Sequence, residues 1–214
     1  MHTINIIDKL DTTHNGPEAK HWVTDEWQEV FLNQGSLDGA CGHYCLFMSL
    51  IINGVISRKD ALTALSFKQD GRTNIGKLAS RVKNQNFFHG TLDTEIEDIF
   101  DGVYSREVEI ERYKFGNLRE FVVNNIKENH PVMLGISWPN GGHWVTVVGL
   151  DYEGEGSSKE LYRFLVIDPS GKSMRYCPWN GVISVKGTGG PYPYEWWGEQ
   201  QKVKLEDALA IRAI

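Results

Sequence analysis

Apolar positions follow a helical rhythm through about residue 130 of this chain and a strand-like rhythm after it. The densest apolar segment is 41–53, where Leu46, Phe47, Met48, Leu50, Ile51 and Ile52 leave almost no polar face. A helix that is apolar all round belongs in a core, and Asn53-Gly54 is a helix stop, so a buried central helix is predicted there. Segments 58–65, 74–83 and 92–100 predict shorter surface helices. Segment 117–127 spaces Leu118, Phe121, Val122 and Ile126 as one helical face. Residues 8–20 are polar and turn-rich, with Asp11, Asn15, Gly16 and Pro17, and read as an extended lead-in.

Past residue 130, segments 131–137, 144–151, 161–168 and 174–177 are rich in Val, Ile, Leu and Tyr and predict strands. Segment 153–159 reads as a polar hairpin loop, 187–198 as a Gly/Pro/aromatic loop, and 209–214 as a last strand. Helices followed by antiparallel strands imply an α+β fold. The expectation is an N-terminal helical half (about 20–130), with its central helix packed against a C-terminal antiparallel β-sheet (about 131–214). A cleft should lie where the halves meet. No repeat or convincing linker divides the chain, so one domain spanning 1–214 is expected.

Element boundaries in this pattern carry reactive side chains. Cys41 opens the apolar helix, where the macrodipole and free backbone N–H groups favour a thiolate. His143 stands between Gly142 and Trp144 where a strand begins, a setting for a general base. Asp168 ends an apolar strand just before Pro169, and a buried carboxylate there needs a partner such as an imidazole N–H. Gln34 lies in a Gly- and Ser-containing loop before Cys41, and its amide is a candidate oxyanion donor. Cys45 and Cys177 read as structural thiols, and His43 is the rival base. Cys41, His43 and Cys45 lack the second ligand pair of a usual zinc site, so neither metal nor cofactor is expected. The aromatic residues Trp179, Tyr192, Tyr194, Trp196 and Trp197 either pack on the sheet or form a binding wall.

Composition narrows the partners. The net charge of −6 opposes a nucleic-acid or anionic-membrane binder, either of which needs a basic patch. No apolar run approaches the roughly 20 residues of a membrane span. Three cysteines make a disulfide framework unexpected. Met-His-Thr-Ile-Asn has neither the basic start nor the apolar core of a signal peptide. The expected location is the cytoplasm, or a target cell reached by export without a signal peptide.

Asn33-Gln34-Gly35, Cys41-Gly42, Gly142-His143-Trp144 and Ile167-Asp168-Pro169 together resemble the papain-like cysteine peptidases. Within them the chain is most similar to the bacterial branch that includes bacteriocin-processing, double-glycine peptidase domains. The resemblance covers about residues 33–170 and implies a papain-like fold with Cys41 as nucleophile, His143 as acid and base, Asp168 as orienter and Gln34 as oxyanion donor. It further implies an endopeptidase acting on a protein or peptide substrate, with cleavage after small residues such as Gly-Gly. A toxin or effector of bacterial competition, held harmless by a cognate immunity protein, is the biological setting it suggests. The alternatives are a deamidase or transglutaminase-like acyl-transfer enzyme on the same machinery, and a non-catalytic binding module.

Overall fold

Short alternating segments, several with only two or three inward side chains, decide the architecture of this chain. The computed structural model describes residues 1–35, 39–66, 70–83, 91–100 and 102–214. Four strands come first: β1 (His2–Ile6), β2 (Asp11–Thr13), β3 (Gly16–Lys20) and β4 (Trp27–Glu29). Helices α1 (Cys41–Ile52), α2 (Arg58–Leu65), α3 (Asn74–Lys83) and α4 (Asp93–Phe100) follow. Strand β5 (Val108–Arg112) and helix α5 (Leu118–Lys127) lead into β6 (Val132–Trp138), β7 (Gly141–Glu153), β8 (Glu160–Ile167), β9 (Gly181–Ser184), β10 (Tyr194–Trp196) and β11 (Gln201–Ala213).

The expected α+β, papain-like arrangement of a helical half against an open sheet is overturned. Strands β7, β6, β11, β10, β9 and β8 pair in that order, and β8 pairs back with β7. The result is a closed six-strand antiparallel β-barrel, with β1 added beside β7 and β5 beside β11. Closure depends on β9 and β10, which link β8 to β11; β10 falls in the stretch read as a loop, and β9 in one to which the sequence reading assigns no element. A closed ring leaves none of its six strands with an unpaired edge, which an open sheet cannot achieve. The N-terminal half is not purely helical either, because β2 and β3 of the polar lead-in pair with β4 beyond it as a small antiparallel sheet. Segment 174–177 forms no strand. The last strand runs over thirteen residues rather than the six read from the sequence.

Helix α1 is the buried element that the pattern predicts: eleven of its twelve residues are buried, Tyr44 being the exception. It lies against β6 and β7 on one side and β3 on another. Its C-terminus is tied down by Asn53, whose amide nitrogen donates to the carbonyls of Ser49 (3.1 Å) and Ile211 (2.9 Å). Gly54 follows with φ +74°, and a β-carbon there would stand 2.6 Å from the Lys20 carbonyl oxygen. At the other end Gly42 lets the helix approach Thr91 and Trp144, since its β-carbon would lie 3.0 Å from Thr91 Cβ and 3.3 Å from Trp144 Cδ1. Gly42 thus sets how closely the first turn of α1 meets Trp144 of the barrel, and Gly54 how closely its end meets β3. Among the described residues, no helix is long and apolar enough to cross a membrane.

Candidate active site

Three of the four residues singled out in the sequence converge where α1 abuts the barrel. Cys41 is the first residue of α1 and is 5% exposed. Among the described residues no side chain caps this helix, so its first-turn N–H groups have no side-chain acceptor and leave the positive end of the helix beside Cys41. His143 is the third residue of β7, inside the strand rather than ahead of it. Asp168 directly follows the last residue of β8, the strand paired with β7, and that pairing carries its carboxylate to the imidazole. Nε2 of His143 donates to Oδ1 of Asp168 at 2.9 Å. The backbone N–H of Trp144 donates to the Cys41 sulfur at 3.4 Å, which places the thiol against the same strand.

Opposed influences act on the His143 proton. Burial disfavours the charged ring, but hydrogen bonds to Asp168 and Cys41 and the charges of both outweigh it, raising the pKa to about 9. With Nε2 engaged by Asp168, Nδ1 is the ring nitrogen left for the sulfur. Burial raises the Asp168 carboxyl, yet His143 and Ser170 together pull it below the usual carboxylate range. Asp168 is therefore the charged partner and the imidazole carries the proton.

Asp168 is itself tightly held. Oδ1 also accepts from the Ser170 N–H (2.8 Å) and hydroxyl (2.7 Å). Asn180 clamps the Asp168 backbone from the start of the β9 side, accepting from its N–H (2.6 Å) and donating to its carbonyl (2.8 Å). Trp196 of β10 stacks on His143, with ring centroids 5.0 Å apart and planes 21° apart. An indole face beside an imidazolium stabilises the cation and blocks water from its ion pair. Trp196 alone of the five aromatic residues considered as a wall lines the cleft that holds Cys41 and His143. Trp197 instead lies against Arg163, 4.8 Å from ring centroid to guanidinium carbon.

Gln34 is brought to the same cleft by contacts to the turn after Asp168. Its backbone N–H donates to the Pro169 carbonyl (2.9 Å), and the Asn33 side chain donates to the Gly171 carbonyl (2.6 Å). The Gln34 side-chain oxygen is buried without a hydrogen-bond partner among the described residues. The middle of the loop from Gln34 to Cys41, residues 36–38, lies outside the described residues.

The other thiols and the rival base stand apart. Cys45 is fully buried, donates to the Trp144 carbonyl at 3.3 Å, and burial pushes its pKa well up, which makes it inert. Cys177 is half-buried and does not line the cleft. His43 points at Thr91 (Nδ1 to Oγ1, 3.4 Å), and burial lowers its pKa to about 4, so it stays neutral in the core. His89 lies outside the described residues. Among the described residues no three His, Cys, Asp or Glu side chains gather in a way that would hold a metal.

A cleft of about 790 Å³ opens over Cys41 and His143. Its far wall includes Gly135, Trp138, Glu206 and Asp207. Neither Asn180 nor this wall was anticipated from sequence, whereas Ser170 belongs to the Ile-Asp-Pro-Ser segment that marked Asp168. An Asp followed two residues later by Ser is the pattern of a side-chain-capped turn. Compared with models of known protein families and with curated protein sequences, the chain gives no match.

Proposed function

We propose that this protein is a cysteine endopeptidase that hydrolyses peptide bonds through Cys41, His143 and Asp168. The observation that carries the reading is the buried relay of thiol, imidazole and carboxylate, with His143 hydrogen-bonded to Asp168 at 2.9 Å and holding its proton to about pH 9. A protonated imidazole beside the sulfur and the helix N-terminus behind it both stabilise negative charge on the thiol.

In the first half-reaction the Cys41 thiolate attacks the scissile carbonyl carbon, and the carbonyl oxygen becomes an oxyanion. The Cys41 backbone N–H and the side-chain amide of Gln34, which lines the same cleft, are the donors assigned to that charge in this reading. His143 then passes its proton to the leaving nitrogen as the C–N bond breaks, which leaves a thioester on Cys41. In the second half, neutral His143 takes a proton from water, the hydroxide attacks the thioester, and the sulfur departs. Asp168, fixed by Ser170 and Asn180, keeps the ring in one tautomer and orientation throughout.

The test is to incubate wild type and Cys41→Ala with a protein mixture and sequence the new termini. Wild type should create termini, and the variant should lose activity by on the order of ten-thousandfold while keeping its melting temperature. A small mass change on intact proteins instead would mean deamidation or acyl transfer, and undiminished cleavage by Cys41→Ala would remove the assignment.

A further inference from the structure

The cleft holds carboxylates that the proposed chemistry does not use. Glu206 and Asp207 lie on β11 where its pairing with β6 shifts register between Leu205 and Ala208. Such a bulge turns side chains off the regular alternation, and here both residues line the cleft that holds Cys41. Their partners differ. Glu206 accepts from the Ser137 hydroxyl at 2.6 Å and pairs with Lys204 at 2.7 Å. Arg112, the cation whose charge acts on Asp207, is itself paired with Asp93 and Glu97. Asp207 has no hydrogen-bond or ion-pair partner among the described residues. Burial, then Asp93 and Glu206, push its carboxyl upward, and Arg112 only partly opposes them.

Independently of charge, the backbone opposite Asp207 leaves room for a side chain from elsewhere. Gly135 of β6 has no side chain, and a β-carbon there would lie 3.4 Å from Trp144 Cη2 and 3.6 Å from Asp207 Cβ. The empty space is therefore a slot with the Trp144 ring along one side and the Asp207 side chain on the other. An aliphatic stem packs on the ring, and a cationic head pairs with the unmatched carboxylate. A glycine would leave the slot empty, and an acidic side chain would meet like charge.

We propose that the slot bounded by Gly135, Trp144 and Asp207 selects a lysine or arginine side chain of the substrate, so that cleavage occurs at basic segments rather than double-glycine sequences. The claim rests on the reading of Cys41 as an acyl-transfer nucleophile, and two assays keep the two apart. In the first, wild type digests a peptide library and the cleavage sites are sequenced. Arg and Lys should be enriched at one fixed position relative to the cut, and Asp207→Asn should lower that preference about tenfold, whereas Asp207→Glu should retain it. Cys41-dependent cleavage without basic enrichment would overturn the slot and leave the peptidase standing.

The second assay needs no turnover. Dipeptidyl chloromethyl ketones bearing Arg, Leu or Glu alkylate Cys41, and their rates are compared. The order Arg, Leu, Glu is expected in wild type, with the differences lost in Asp207→Asn and in Gly135→Ala, whose added methyl narrows the slot. Equal rates in wild type would refute the slot even if no library peptide were cut, an outcome that would separately defeat the peptidase reading.

Discussion

His143 is a buried base that holds its proton against its own desolvation, and Asp168 is the main reason. Because the raised value near 9 depends on the Asp168 hydrogen bond and charge, the alkaline limb of kcat/KM should fall near pH 9. Asp168→Asn removes the charge, so that limb should move toward neutral pH while activity drops about a hundredfold or more. A limb that stays in place in the variant would exclude His143 as the titrating group. The same raised value has a stability consequence of definite sign. Protonated His143 contributes fully below its ordinary pKa of 6.5, and the contribution fades as pH climbs through about 9. Cys41, His143 and Asp168 are legible in the sequence because each stands where an apolar run starts or stops. Asn180 and Asp207 are not: one reaches Asp168 by a hydrogen bond across twelve positions of irregular chain, the other reaches the cleft through a register shift. Neither relation leaves a periodic trace.

Helix α1 shows how far element-level patterning reaches. Its all-round apolar character and its Asn53-Gly54 stop identify it, and α2 to α5 follow their predicted segments closely. The barrel is harder to read, because β9 and β10 are four and three residues long and their pairing is entirely non-local. A three-residue strand has no period to detect. Strand β5 alternates Val108 and Ile110 with Glu109 and Glu111, but it is short and flanks the ring rather than belonging to it. The end of α1 gives a direct check on how closely helix and N-terminal sheet are fitted. Gly54→Ala imposes a left-handed backbone on a residue with a β-carbon and drives that carbon toward the Lys20 carbonyl. The variant should lose about 1–3 kcal/mol in urea unfolding with an unchanged m-value. A neutral result would mean that the chain beside Gly54 relaxes freely.

Across the whole molecule, helix α1, which carries Cys41, touches two bodies of unequal stiffness, the barrel and the small sheet. Strand β7 pairs with β1, β6 and β8 and carries His143, so its amides lie in the most interconnected part of the barrel. The sheet β2-β3-β4 has strands of three and five residues, and Trp22, Val23 and Trp27 beside it are about half exposed or more. Few buried contacts and short ladders place this sheet at the low end of local stability. Hydrogen exchange followed by mass spectrometry should therefore find β7 exchanging only through global unfolding, with β2 to β4 opening at a fraction of that free energy. Helix α1 touches both bodies through β7 and β3, and its exchange rate decides whether Cys41 moves with the base or with the small sheet. Its buried residues and its Asn53 anchor on Ile211 of β11 argue for the barrel. Protection of α1 equal to that of β7 is the expected result, and it would keep the thiol registered on His143 while the small sheet opens. Protection of α1 that tracks β3 instead would mean that nucleophile and base separate in sub-global openings, and a preorganised thiol–imidazole pair would no longer describe the resting protein.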